Sequence, residues 1–561
     1  MFIRVTTTPN SPRKSVKICE NYRKGGKVKQ KIVHHVGIAL DDAEEEKLKA
    51  YAQELIVKIT LQREEQSKQL SLFPLTEDDL QQCSPSRKRG RPSHKRIEDI
   101  LPPSQVSLAD IDEEARIIEG VHEIGGAMFD EIYGDLLPEK RAKKILKDVV
   151  LARLVAPSSK HKVQQKLSLD FGVHHSLDSI YRMMDTVFNK INTIKQRAFL
   201  KTQALFPEKV DMILFDVTTL YFESTDTDEL RKFGYSKDHR FNTTQVVLAL
   251  ATNQDGLPVG YELFEGNRAE VTTLLSAIES WRQLFRIDKV CFVGDRAMFT
   301  SKNLAILRQH NCQYIIAAKL RKLPAEVQAD VLSNENYRPT VLGNMLGWVK
   351  EVELGCDRLI VSYKTSRAQK DRRDRDVILK KIEKNIGKSG EASKLITNAG
   401  VKKYLSKNEQ ATVCIDDEKI MRDEAWDGLH GIITNIPEDS AESLIEKYSR
   451  LWVIEESFRI NKHTLEMRPI FHWKPNRIHA HIAICYMAFS VLRHLQYRIN
   501  LTQKISINTI LEELVHVQAS IHIHKKTKDR YRVPGALSIN ARKIYKAFGI
   551  ERSQDATVYI R

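Results

Sequence analysis

Three acidic residues stand far apart in this sequence, yet each closes an apolar run or lies beside one. Asp216 ends the run 210–216, and Asp295 follows the run 289–293 within Gly294-Asp295-Arg296. Glu455 lies in the stretch 448–462. Read as one helix, that stretch puts Tyr448, Trp452, Glu455, Arg459 and Lys462 on a single stripe, at steps of four, three, four and three. Leu451, Ile454 and Phe458 form the adjoining apolar stripe. Alone, Glu455 and Arg459 are an ordinary i,i+4 pair, and an aspartate at a strand end is unremarkable. Gathered at one edge, three carboxylates repel unless divalent cations neutralise them. Mg²⁺ suits such a set, because it is hard, prefers oxygen and keeps water and phosphate oxygens among its ligands. Two such ions about 4 Å apart activate a water or 3′-hydroxyl and stabilise the leaving oxygen of an in-line displacement at phosphorus.

The intervening elements decide whether the three can meet. Thr218, Thr219 and a β-rich piece, 220–223, follow Asp216. Runs 245–252 and 257–264 flank Asn253-Gln254-Asp255-Gly256, a hairpin signal. Then come an amphipathic helix at 269–285, a buried strand at 289–293, a helix at 301–309 and a strand at 312–318. Strands, hairpin, helix, strand, helix, strand is the order of an RNase H-like mixed-sheet core. There the ends of the first and fourth strands sit side by side, and a helix packed across the same edge would bring a third carboxylate. Residues 321–428 break the rhythm with short β-like runs around the basic helical piece 367–383, so a β-rich insertion is expected. The core is therefore 206–320 and 429–498, ending in a long apolar helix at 478–495.

The chain has 561 residues, too many for one core. It is 42% hydrophobic and 29% charged, with 89 Lys and Arg against 73 acids, a net charge of +16. This composition predicts soluble globular domains with a polyanionic partner, nucleic acid first. The seven cysteines form no CxxC pair, and no run approaches a membrane span or signal region, so a cytoplasmic, nucleoid-associated protein without membrane contact is expected. Residues 1–75 read as a β/helical region whose Gly25-Gly26 turn joins two strands. Residues 76–105 are a basic linker, in which Arg87-Lys88-Arg89-Gly90-Arg91-Pro92 resembles an AT-hook, placing Arg89 and Arg91 in the minor groove of double-stranded DNA. A solvated basic linker explains the same residues. Residues 106–205 read as a helical DNA-binding domain, either a helix-turn-helix carrying Tyr181 and Arg182 or a plain bundle. Residues 499–561 read as a helical tail. His479-Ala480-His481 and His522-Ile523-His524 lie on apolar stretches, where structural or phosphate roles outweigh metal binding.

Leu214-Phe215-Asp216 with Thr218 and Thr219, Val293-Gly294-Asp295-Arg296, and Tyr448, Glu455 and Lys462 together resemble the motifs of bacterial insertion-sequence DDE transposases. They look like the cut-and-paste group with a Tyr-x2-Arg-x3-Glu-x6-Lys signature and a β-rich insertion in the catalytic core. The opening Met1-Phe2-Ile3-Arg4-Val5 and the stretch 176–182 are similar to members of that group too. The resemblance implies that Asp216, Asp295 and Glu455 hold two Mg²⁺ ions, with Mn²⁺ a substitute. It implies phosphate contacts for Tyr448 and Lys462, an enzyme that binds terminal inverted repeats, cleaves and joins them to target DNA, and self-association to at least a dimer on synapsis. Arg296 is a further candidate phosphate clamp. Leu451 holds the signature's arginine position, leaving Arg450 or Arg459 to fill that role. Trp348 and Trp426 of the insertion are candidates to stack on an unpaired base. A structure-specific nuclease of the same fold and a domesticated, non-catalytic DNA-binding protein are the alternatives.

Overall fold

Apolar residues alternating along the first forty positions pair as three antiparallel strands, β1 (Phe2–Thr7), β2 (Lys14–Lys24) and β3 (Lys27–Ala39). The turn expected at Gly25-Gly26 lies outside the described residues; Lys24 and Lys27, which flank it in the sequence, face each other in register. Val16, Ile18 and Val36 on one side of this sheet are buried with Ala52. The structure is a computed structural model and describes residues 2–7, 14–24, 27–39, several positions between 45 and 56, 110–206, 212–234, 242–285, 291–294, 301–343, 345–386, 399–407 and 413–559. The AT-hook-like element with Arg89 and Arg91, and Asp295 with Arg296, lie outside the described residues. Contacts divide the chain into two units, 1–105 with 339–347, and 106–338 with 348–561.

The second unit begins with β4 (Ile111–Ile118) and a helical layer, then builds a mixed sheet. Its strands are β5 (Met212–Tyr221), β6 (Gln245–Thr252), β7 (Pro258–Glu265), β8 (Cys291–Gly294), β9 (Gln313–Ala317), β11 (Met345–Leu354), β12 (Asp357–Tyr363) and β15 (Leu429–Thr434); β10 (Arg338–Leu342) falls mostly in the first unit, and β13 (Leu405–Lys407) and β14 (Val413–Ile415) form a separate small pair. From β11 the sheet runs β11-β12-β15-β9-β8-β5-β6-β7. β5 is parallel to β8 and β8 to β9, whereas β5–β6–β7 is an antiparallel meander. The first and fourth strands of the core are thus neighbours, and the turn after Asn253 is the hairpin expected there. Gly256 supplies its positive φ of 77°.

One face of this sheet packs under the helices Glu270–Phe285 and Ser301–Gln309, with Ile213, Phe215, Val217, Trp281 and Leu307 in one cluster. Strand alternation therefore turns Asp216 to the opposite face, where the helix Trp452–Arg459 packs on β5 and β6. Pro475–Asn500 is long and apolar enough to cross a membrane, but 94% of its apolar window is buried, which makes it a core helix here. The helices Lys140–Val155, Leu177–Phe188 and Ile191–Gln203 surround it. Leu177–Phe188 buries Ile180, Met183, Met184 and Val187, and the Arg477 guanidinium covers Tyr181 at 4.4 Å from its ring centre. Tyr181 is half-buried there.

The sequence reading differs from the structure in three places. The segment 321–428 does not stand apart as a β subdomain: β11 and β12 extend the main sheet through β15, beside a 22-residue helix, Thr365–Ile386. The region 499–561 is not a helical tail. It holds helices Ile507–His516 and Ile539–Ala547, but β16 (Gln518–His524), β17 (Arg530–Pro534) and β18 (Thr557–Val558) join β4 in a four-stranded sheet. For the same reason 106–205 is not wholly helical. β4 is polar on its outward residues and gains its strand only by pairing with β16, hundreds of residues later, which local periodicity cannot signal.

Candidate active site

Asp216 lies in the middle of β5, half-buried, opposite Leu250 of β6. The amide of Val217 donates to its Oδ1 at 2.7 Å, which fixes the carboxylate against its own backbone. In the parallel β5–β8 register the last described pair is Leu214 with Val293. Asp216 is two residues beyond the first, and in the sequence Asp295 is two beyond the second.

The stretch 448–462 is not the single helix that its spacing suggests. Ala441–Ser449 is one helix, capped by Ser440, whose Oγ accepts from the Ser443 amide. The backbone then tightens, with Leu451, Val453 and Ile454 donating to Tyr448, Arg450 and Leu451, three residues back. A second helix spans Trp452–Arg459, and Ile460–Thr464 widens into a π-turn. Side chains compete for backbone acceptors here: Ser457 Oγ donates to Val453 O at 2.8 Å and Asn461 Nδ2 to Ser457 O at 2.9 Å.

The two sides of this segment have opposite surroundings. Val453, Ile454, Ser457 and Phe458 are buried, while Trp452, Glu455 and Arg459 are exposed and Tyr448 and Lys462 half-buried. Glu456 accepts from Arg493 Nη1 at 3.2 Å. Arg493, itself 4% exposed, also donates through Nε to the Gly256 carbonyl at 2.8 Å. Burial pulls this guanidinium below its usual range, and Glu456 works against that pull. One arginine thus fastens the Glu455 helix to the β6–β7 turn. Of the two candidates for the signature arginine, Arg450 pairs with Glu446 at 3.5 Å and Arg459 faces outward.

Beside Tyr448 a cleft of about 940 Å³ opens between the ends of β9 and β15 and the helix Thr365–Ile386. Sequence reasoning singled out Tyr448, Trp426 and the basic helical piece that supplies Arg367 and Arg375 to its lining, but missed Lys319, Lys322, Lys403 and His430. Only the start of β15 signalled His430, whose ring lies 5.3 Å from that of Tyr448. Much of the cleft's positive charge is already paired: Arg375 binds Asp427 at 2.6 and 2.7 Å, and Arg321 binds Asp423. Arg321 also lies 5.9 Å from the Trp426 ring centre. Trp348, by contrast, packs edge-on against Tyr363. Among the described residues no three His, Cys, Asp or Glu side chains are grouped to hold a metal, and Asp295 is not one of those residues.

The family model of the transposase DDE domain matches residues 209–491, and that of the IS1634 family transposase N-terminal domain matches residues 3–66. No curated protein matches the chain. Among solved structures it is similar to the piggyBac transposase synaptic complex with hairpin DNA, at 10% identity over 71% of this chain and 77% of that one, with a TM-score of 0.36. It is also similar to a pre-cleavage Mos1 transpososome, at 12% identity over 32% of this chain and 60% of that one, with a TM-score of 0.14. With half of its length matched by the DDE domain, and with the first and fourth strands of that domain paired beneath the Glu455 helix, the chain belongs to the DDE transposases of insertion sequences.

Proposed function

We propose that this transposase cuts and joins DNA through Asp216, Asp295 and Glu455, on a core of RNase H-like order. One observation carries this reading. The helix bearing Glu455 packs on the strand bearing Asp216, on the sheet face to which Asp216 turns, and β8, the parallel neighbour of that strand, leads into Asp295. These are hard oxygen donors, and they fit Mg²⁺ or Mn²⁺. Bound there, two such ions would activate the attacking oxygen and offset charge on the leaving one. The chain's own part is to hold the carboxylates rigidly, Asp216 by the Val217 amide and Glu455 through the Glu456–Arg493–Gly256 anchor. Glu455 is favoured over Glu456 because Glu456 is already bound to a buried arginine.

Tyr448, Lys462 and Arg459 lie along the same segment as Glu455 and would bind phosphates flanking the cleaved bond, with Arg450 at the turn and Arg296 beside Asp295. Of the two tryptophans, Trp426 is the one in the cleft beside Tyr448, so it is the better placed to stack on an unpaired base. Arg89 and Arg91 would add minor-groove contacts from the linker. The substrates are the terminal inverted repeats and target DNA, at the nucleoid, with two copies synapsing two ends. Asp216→Ala, Asp295→Ala and Glu455→Gln should each abolish Mg²⁺-dependent cleavage of end DNA and spare DNA binding. Full activity in any one of them removes that residue from the site. Cleavage with no joined product in a strand-transfer assay would replace the transposase reading with that of a nuclease.

A further inference from the structure

Behind the segment that follows the signature lies a second hollow, of about 390 Å³, bordered by Arg153, Lys160, Lys162, Glu466, Arg468 and His481 among others. Arg153 and Lys160 are each 3% exposed. Arg153 Nη2 lies 3.3 Å and Lys160 Nζ 3.4 Å from the same atom, Nδ1 of His481. The Nε2 of that ring lies 3.1 Å from the Met467 carbonyl oxygen, which can only accept. Nε2 therefore carries the ring hydrogen, and Nδ1 offers one lone pair.

Two buried cations thus share a single acceptor. Arg153 has one more contact, a long one to the Glu466 carbonyl at 3.5 Å. Neither forms an ion pair with a carboxylate among the described residues, and neither makes a further hydrogen bond to them beyond these. Burial, and after it the Arg153 charge, pulls the Lys160 ammonium down to about 7, with only Cys485 acting the other way. Burying two like charges without a counter-ion is costly, and proteins avoid it unless an anion completes the site. The other features point the same way. The hollow sits at the amino end of the 12-residue Lys160–Phe171 helix, where Ser159 Oγ caps the Lys162 amide at 3.4 Å and the amides of Lys160 and His161 have no intrahelical acceptor. Glu466, the one acidic lining residue, holds an uncommon φ of 40° and turns its carbonyl to Arg153.

We infer that this hollow binds a phosphate group between Arg153, Lys160 and the amino end of the Lys160–Phe171 helix. Its place in the fold favours a backbone phosphate of DNA, and that source rests on the function proposed above. Ile470 donates its amide to the Tyr221 carbonyl at 3.3 Å, tying the wall of the hollow to the end of the strand that carries Asp216. Arg468 covers the Tyr221 ring at 5.3 Å. A strand leaving the cleavage site along this wall would reach the hollow a short way on.

The test uses the full chain and inorganic phosphate. Equilibrium dialysis should show about one phosphate bound per chain, and phosphate should raise Tm above that in chloride at equal ionic strength and pH. At pH 6, below the value of about 7 to which Lys160 is pulled, Lys160→Met should raise Tm in chloride, because an uncompensated buried charge is gone, and should abolish the phosphate increment; Lys160→Arg should keep the increment. No phosphate bound by the wild type, or a Lys160→Met protein of lower Tm that keeps the increment, would overturn the site. A second arm titrates a duplex of arbitrary sequence against salt: for a backbone phosphate, Lys160→Met lowers the slope of log K against log salt by about one. An unchanged slope with a lost increment assigns the hollow to free phosphate or a nucleotide and overturns the DNA source. Neither arm measures cleavage, so failure here leaves the Asp216–Glu455 reading standing, and failure of that reading leaves the phosphate arm intact.

Discussion

Glu455 and Glu456 are neighbours with the same side chain, yet the outer and inner faces of their helix give them opposite surroundings. The outer face shows Trp452, at 59% exposure, with Glu455 and Arg459, three groups suited to a polyanion and its metals and poorly suited to holding a fold. The inner face has Val453, Ile454 and Phe458 in the core, with Glu456 at its margin locked to Arg493. A carboxylate already bound to a buried cation cannot move to a metal without stranding that cation. The difference separates the two glutamates by function, which residue type alone could not do.

Breaking the outer face should cost chemistry and leave the fold intact. Glu455→Gln should abolish detectable strand cleavage, a loss of at least about a thousandfold or about 4 kcal/mol of transition-state stabilisation. Its thermal stability should stay within about 0.5 kcal/mol of the parent, as for most exposed substitutions. Single-turnover cleavage beside a melting curve reads both, and a large fall in Tm would move Glu455 to the structural side.

Breaking the inner anchor should do the reverse. A Cβ built on Gly256 would lie 1.5 Å from Arg493 Nη2, at a φ of 77° that side chains seldom adopt. Gly256→Ala should therefore cost about 3 kcal/mol through crowding and strain together, seen in a urea titration as a lower midpoint at unchanged m. Glu456→Gln leaves Arg493 buried with its carbonyl contacts but without its carboxylate. Because Glu456 is one-third exposed, the loss should be smaller, about 1–2 kcal/mol. Cleavage per folded molecule should fall less than tenfold. A thousandfold fall with normal stability would exchange the roles of the two glutamates.

Much of the core was legible because its elements signal locally: the alternating or continuous apolar runs of β5 to β9, the hairpin at Asn253–Gly256 and the amphipathic helix before β8 all formed. The β4–β16 sheet was not, since Asp112, Glu113 and Glu114 make a polar strand that exists only through its distant partner. Tyr448 and Glu455 were legible as a spacing, but the straight stripe was not real. The backbone tightens at 450–454 and widens into a π-turn at 460–464, and Ser457 and Asn461 bond backbone carbonyls between them, none of which a periodicity count registers. Arg153, Lys160 and His481 were illegible as a group because they lie on three different helices, Lys140–Val155, Lys160–Phe171 and Pro475–Asn500, and meet only in the folded chain.

The smallest effect concerns the cleft, where Asp423 is a carboxylate of the anchoring kind. Burial works to raise its pKa, but hydrogen bonds from Tyr404 at 2.6 Å, Arg321 and Lys403 at 3.2 Å outweigh burial and hold it down to about 2. A carboxylate depressed on folding stabilises the native state above its unfolded pKa, near 3.9, and loses that contribution as pH falls towards 2. After a discount for solvent at the cleft mouth, about 1 kcal/mol should disappear over that window. Asp423→Asn removes the titration, so the stability gap between parent and variant, from urea midpoints at pH 5, 4 and 3, should narrow as acid is added. Parallel curves would show that Asp423 carries no such anchoring charge. Because its oxygens are already taken by three donors, adding Mg²⁺ should leave that gap unchanged. A gap that widens with Mg²⁺ would make Asp423 a metal ligand and blur the line between the cleft and the face that carries Glu455.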